Sequence, residues 1–364
     1  MNLAFDDVIG ASEEARAGLF ATTGQRLGTT AQNVEKDFWV CWTLDALFNG
    51  RESGPRLLFK GGTSLSKGFG LIRRFSEDVD VTVFRDDLGQ GYSFDELAGM
   101  SRQKRDRALG EIKAACETYI NGELHERLRT IVAELAGRTN IPADRLGVSA
   151  NADDSQSLLI RYPTATPADE YIDKIVKIES GAKSALDPHS SRPIRPYCTD
   201  DIPDLDLSVA NVTVVDAERT FWDKVVILHG RRRWFEIRGS LLGGGHRVSR
   251  HYYDVHELMN SKLGQRAAQN LWLGADCVNH ARMFFNRPDF DLASARPPSF
   301  VLTPKGNMYD ELKRDYAAMT GMIFGNAPPF EAIVESVADL EHMINAAGRP
   351  KKLQRSRREI CAPM

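Results

Sequence analysis

From residue 77, EDVDVTVF alternates polar and apolar side chains strictly, the pattern of a strand with one covered face. Successive side chains of a strand point to opposite faces. Val79, Val81 and Val83 therefore share the covered face, and Asp78, Asp80 and Thr82 the other. Just before it, RLLF at 56–59 is a short apolar run ended by Gly61 and Gly62, which fits a buried strand. TSLSKGFGLI suits a short helix between the two. Upstream, residues 12–48 read as helical. Phe38, Trp42 and Ala46, with Val34, Cys41 and Leu44, recur at spacings of three and four and mark a buried face, with Asn33 as N-cap.

Residues 92–147 are rich in Arg, Lys, Glu and Leu and read as a helical insertion beside the sheet. SLLIRYP at 157–163, YIDKIVKIE at 171–179 and LSVANVTVV at 207–215 read as further strands, with Pro-rich 190–204 irregular between the last two. A helix starts near Asp216 and runs to about Gly230, followed by a basic, Gly-rich loop over 231–250. Residues 251–285 and 307–347 read as helices, and the tail GRPKKLQRSRREI as basic and frayed. The expected fold class is α+β: a small mixed β-sheet with flanking helices, and a helical C-terminal lobe beginning somewhere in 215–260.

The 364 residues are 42% hydrophobic and 27% charged, as in an ordinary globular protein with room for a core. A net charge of −3 leaves polyanion binding to local basic clusters. Five well-separated cysteines without a CxxC pair point to reduced thiols rather than a disulfide framework or structural zinc. The acidic N-terminus lacks the features of a signal peptide and no apolar run is long enough to span a bilayer, so the expected location is cytoplasmic with no membrane partner.

The chemistry sits in two pieces. Residues two apart on a strand lie roughly 6.5–7 Å apart, so Asp78 and Asp80 can lean toward one divalent ion or a close pair. Carboxylates that close resist ionising together, and a bound cation removes that penalty. Mg²⁺ is commonly held by one or two carboxylates with phosphate oxygens and water, the clamp that phosphoryl transfer needs. For an isolated DxD the plainer reading is a solvated surface strand. The second piece, LLFKGGTSLSKG, offers glycines that let a backbone approach a phosphate. It is not a Walker A loop, because Ser66 stands where that motif needs its second glycine before Lys67. Alone it reads as a strand–turn–helix corner.

Together, GG[TS] on a strand-to-helix turn and DxD on the next strand resemble the DNA polymerase β-like nucleotidyltransferases. The resemblance is closer still to the AbiEii/AbiGii toxin family, the type IV toxin nucleotidyltransferases. KGGTSLSKGFGLIRRFSEDVDVTV resembles the family's first motif, ERTFWDKVVILHG at 218–230 its second and RHYYDVHEL at 250–258 its third, while VEKDFWVCWTLDALF at 34–48 resembles the helix before them. It implies a nucleotidyltransferase core over 1–215, a helical domain over 216–348 completing the active site, and a basic tail over 349–364.

By this resemblance Asp78 and Asp80 bind metal (Mg²⁺ or Mn²⁺), Lys224 contacts the triphosphate of an NTP substrate, and Asp254 is a further catalytic acid. Gly61, Gly62, Thr63 and Ser64 fall at the phosphate turn, and Ser76 lies where its hydroxyl can reach the nucleotide. Without the family, Lys224 borders the apolar face of its helix, where snorkelling is the plainer role, and Asp254 can serve within its own helix. Glu179 is a candidate added carboxylate, or an edge-strand charge. Arg231, Arg232, Arg233 and Trp234 can bind phosphate and stack on a base, or form a solvated loop.

The resemblance implies an RNA acceptor, first the 3′ end of tRNA, which would stop aminoacylation and translation, and an antitoxin protein as partner. Two other readings stay open: an NMP-transferase acting on a protein hydroxyl, and an inactive module that docks RNA or a protein.

Overall fold

The computed structural model describes residues 1–347 apart from 52, 143, 168–173 and 246. The basic tail, Cys361, the start of the expected strand at 171–173 and the histidine of GGGH lie outside the described residues. Among the described residues a single seven-stranded mixed sheet is flanked by helices, and the class is α+β.

The strands are β1 (Leu57–Phe59), β2 (Asp78–Val83), β3 (Gly147–Asn151), β4 (Asp154–Arg161), β5 (Ile175–Glu179), β6 (His189–Ile194) and β7 (Val209–Val215), in the spatial order β3-β4-β5-β2-β1-β7-β6. β1 runs antiparallel to β2, pairing Leu57 with Val83 and Phe59 with Val81. β2 runs parallel to β5, in a register that sets Asp78 beside Lys177 and Asp80 beside Glu179. Val79, Val81 and Val83 are fully buried, as the alternation requires.

Helix Ala31–Phe48 packs on this sheet and is buried on every side rather than along one stripe. Its charged residues are tolerated because each finds a partner. Lys36 Nζ lies 2.8 Å from Glu77, and Asp37 lies 2.8 Å from Lys67 Nζ. Asp45 accepts from the backbone of Asn2 at 2.7 Å. The N-cap is Thr30, whose hydroxyl accepts from the Asn33 amide at 3.2 Å, so the cap falls three residues before the expected Asn33.

Two elements depart from the expected pattern. The segment 190–204 was expected to be irregular because of its prolines, yet His189–Ile194 forms an edge strand on β7. Pro193 is accommodated because the register shifts between Arg192 and Ile194, and a strand edge does not need its missing N–H. The helix expected to stop near Gly230 continues from Ala217 to Arg238, ending at Gly239 with φ +69°. Gly230 is a packing glycine: a Cβ there would sit 3.2 Å from the Phe290 ring. RRRW is thus helical and not part of a loop.

The buried apolar residues form two main clusters. One surrounds the sheet with residues from 5 to 214 and Phe284, and the other gathers the C-terminal helices. Leu65, Ile72 and Phe75, from the segment joining β1 to β2, belong to the second cluster. That segment is therefore the seam between sheet and helices, and the carboxylates of β2 emerge beside it. Cys41, Cys116, Cys198 and Cys277 are free and buried. Among the described residues no helix is long and apolar enough to cross a membrane.

Candidate active site

A cleft of about 450 Å³ opens at this seam, between the ends of β1, β2 and β5 and the helix Ala217–Arg238. Asp78 and Asp80 both line it, with Glu179 from the neighbouring strand. Burial, and then the charges of Glu179, Glu77 and Asp80, push the Asp78 carboxyl up to about 6. The carboxylates are only partly offset: Lys60 Nζ is 3.7 Å from Asp80, and Lys177 Nζ is 2.6 Å from Glu179. This is a group of hard oxygen donors with unbalanced negative charge.

The glycine turn fixes where Asp80 can stand. Gly61 has φ +81°, a conformation that disfavours any side chain, and a Cβ there would collide with the Asp80 carboxylate. Gly61→Ala is expected to displace Asp80 and abolish transfer while the sheet stays folded. Activity assays alongside far-UV circular dichroism check this, and wild-type turnover in the variant would refute it.

Thr63 and Ser64 do not face the cleft. Both are buried and shape the turn. The Ser64 hydroxyl donates to the Gly61 carbonyl at 2.9 Å, and the Thr63 hydroxyl lies 2.7 Å from both Ser76 Oγ and the Asp78 carbonyl. Ser76, Gly61 and Gly62 do line the cleft. Lys67 turns away from it, paired with Asp37 and lying 3.6 Å over the Tyr197 ring, so it cannot act as a P-loop lysine.

The same cleft carries a cation clamp. Lys224 and Arg74 line the cleft, and behind them lies Asp254, fully buried. Arg74 Nε and Nη2 donate to the two Asp254 oxygens at 2.7 and 2.8 Å, and Lys224 Nζ reaches the same carboxylate at 2.7 Å. Burial would raise the Asp254 carboxyl, but Arg74 and Lys224 hold it well below the usual carboxylate range. Burial likewise pushes Lys224 down against the pull of Asp254. Two fixed cations against one carboxylate leave a net positive charge toward the cleft. Asp254, expected as a catalytic acid, stands behind the wall, fully buried and not lining the cleft. Its geometry is that of a positioning residue.

The four residues of RRRW separate in space. Arg231 lines the cleft and donates to the Leu242 carbonyl at 3.2 Å. Arg232 and Arg233 pair with Glu236 at 3.1 and 3.0 Å, and Arg233 also lies 3.5 Å from Asp291. Trp234 meets Phe290 edge-on at 6.1 Å and lies under Arg238 at 5.4 Å. Only Arg231 of the four reaches the cleft.

Sequence reasoning placed Arg250 near the site, and it lines the cleft, but missed Arg74, Lys60, Asp223 and His280, all on the cleft wall. Lys60 and Arg74 lie within the first motif and were open to suspicion. His280 lies on a helix with no motif. Burial, then Arg219 and Arg85, push its imidazole down to about 3 from 6.5. It is neutral in the fold and protonated in the unfolded chain between those values, so the unfolded state binds more protons and stability rises with pH. Stability is therefore expected to be lost as pH falls below about 6.5. His280→Gln should lessen that dependence, to which His229, His251 and His256, also pushed down by burial, contribute in the same direction, read as urea midpoints between about pH 7 and pH 5. An unchanged slope would refute it.

Comparison with known proteins adds to this geometry. A family described as "Nucleotidyl transferase AbiEii toxin, Type IV TA system" matches residues 42–336, most of the chain. Among solved structures, MenT4, a nucleotidyltransferase toxin from Mycobacterium tuberculosis, is similar over 92% of this chain and 99% of that one, with 16% identity and a TM-score of 0.40. No curated protein matches.

Proposed function

We propose a reaction for this site from the family to which the chain belongs, the nucleotidyltransferase toxins of the AbiEii family in type IV toxin–antitoxin systems. The chain transfers NMP from an NTP to an RNA 3′ hydroxyl, with the 3′ end of tRNA as the acceptor. The observation that carries this reading is one cleft lined both by the carboxylates Asp78, Asp80 and Glu179 and by Arg74 and Lys224, the cations of the Arg74–Asp254–Lys224 clamp.

The acceptor oxygen bonds to the α-phosphorus, the α–β bridging P–O bond breaks, and pyrophosphate leaves. The hydroxyl proton passes to the carboxylate cluster. Lys224 and Arg74 neutralise the β- and γ-phosphates and the leaving pyrophosphate. Asp254 keeps both cations aimed without touching substrate.

The donor set fits a hard divalent cation, Mg²⁺ or Mn²⁺. Asp78 and Asp80 would hold it, with Glu179 as a third carboxylate beside them, and it would supply charge stabilisation at the α-phosphate. Among the described residues no group of three or more His, Cys, Asp or Glu side chains forms a ready metal cage.

Arg231 and Arg250 on the cleft wall favour a polyanionic acceptor. Adding a nucleotide to the tRNA 3′ end consumes the hydroxyl that an amino acid must esterify, which blocks translation. The partner is an antitoxin that counters this activity. Sequencing tRNA 3′ ends from cells expressing the chain tests the acceptor: extra terminal nucleotides are expected, and unaltered ends in growth-arrested cells would overturn the RNA reading.

A further inference from the structure

The cleft continues beyond the cation clamp into an apolar end that phosphate chemistry does not use. Its wall is built by Val226 and Ile227 from the Ala217–Arg238 helix, Ala281 and Phe285 from and just after the Leu271–Phe284 helix, and Phe290. Ile227 is 37% exposed and Phe285 49% exposed, unusual for large apolar side chains in an otherwise buried neighbourhood. Phe290 is fixed from behind by its seat on Gly230 and its edge contact with Trp234. Open apolar surface in a cleft marks something that covers it.

Continuity identifies the occupant. The same cavity holds Lys60, Arg74 and Lys224, so a ligand whose phosphates lie on the clamp has its remaining half directed along it. In an NTP that half is a ribose and a base, and aromatic or apolar faces stack on any base. Asp223 lines the same cleft. It is one residue before Lys224 and one helical turn before Ile227 on the cleft-lining face. Its half-exposed carboxylate lies 3.6 Å from Arg219 Nε, which holds it from behind. A carboxylate this near a polyphosphate is repulsive unless it accepts hydrogen bonds, and ribose hydroxyls are the donors that fall between phosphate and base.

We propose that Ile227, Phe285 and Phe290 form the base subsite for the incoming nucleotide, and that Asp223 accepts from its ribose hydroxyls. This rests on the NTP reading above. The base is held by stacking, and the sugar is read by Asp223.

The test separates the two halves of the ligand. The full chain with Mg²⁺ is titrated calorimetrically with each NTP, with a 2′-deoxynucleoside triphosphate, and with inorganic tripolyphosphate, which has no base or sugar. Phe285→Ala and Ile227→Ala, both truncating solvent-exposed atoms, are expected to weaken NTP binding by about 5- to 100-fold. Both should leave tripolyphosphate binding unchanged. Asp223→Ala is expected to narrow the difference between ribo- and deoxyribonucleotide. Unchanged NTP binding in both apolar variants, or equal losses for tripolyphosphate, would overturn the base subsite, and an unchanged ribose preference would overturn the role of Asp223. A wild-type chain that binds neither NTP nor tripolyphosphate would instead refute the NTP reading itself, and the subsite with it.

Discussion

Asp80→Ala is expected to reduce nucleotidyl transfer by roughly 10³-fold or more, with no loss of thermal stability. The two halves of this prediction have one cause. Asp80 is among the carboxylates whose charge pushes Asp78 up to about 6, so in the free protein it contributes repulsion to the site. Among the described residues its salt-bridge partner is Lys60, at 3.7 Å and itself partly exposed, so little stabilisation is lost with it. In the proposed reaction the carboxylate acts on the transition state rather than on the fold. A melting temperature equal to or above wild type, with transfer lost, is the expected pair of measurements. A variant that keeps full activity, or that unfolds, would contradict this assignment.

Asp254→Ala is expected to behave in the opposite way, costing stability and activity together. Its carboxylate is fully buried between Arg74 and Lys224, both nearly fully buried themselves. Removing it leaves two buried cations without their shared partner, a change that typically costs about 3–5 kcal/mol. Lys224 then loses the charge that opposes its desolvation and becomes easier to deprotonate. Asp254→Asn keeps an acceptor but not the charge, and should fall between wild type and alanine in both measurements. Denaturant unfolding read beside initial rates checks this. An alanine variant as stable as wild type would show that the clamp is not held together as described.

The contrast between these aspartates shows what the sequence could and could not convey. Alternation along β2 was enough to place Asp78 and Asp80 on one face, because period-two geometry is a property of the strand alone. Glu179 could only be suspected, since its position beside Asp80 depends on the parallel register of β5 on β2, a long-range pairing with no local signature. Asp254 and Lys224 were legible through family resemblance, but the direction of the Asp254 side chain was not. Its partner Arg74 lies 180 residues away in sequence.

Local readings failed where tertiary packing overrode a residue's usual meaning. Gly230 looked like a helix end and is a seat for Phe290. Pro193 looked like a strand breaker and sits at a register shift on an edge. The short hairpin of β3 and β4 was half missed, because β3 is too polar to stand out as a strand. RRRW looked like a solvated basic loop because the helix was ended too early. Once the helix extends to Arg238, its arginines point different ways.

The central claim is that Asp78, Asp80 and Lys224 form one nucleotidyl-transfer site acting on RNA. The most direct test is to incubate the purified chain with Mg²⁺, each α-³²P-labelled NTP in turn and total tRNA, and to resolve RNA and protein on gels beside Asp80→Ala and Lys224→Ala. The account predicts label on tRNA with the wild-type chain and none with either variant. Label confined to a protein band, or label on tRNA that persists in the variants, would contradict it.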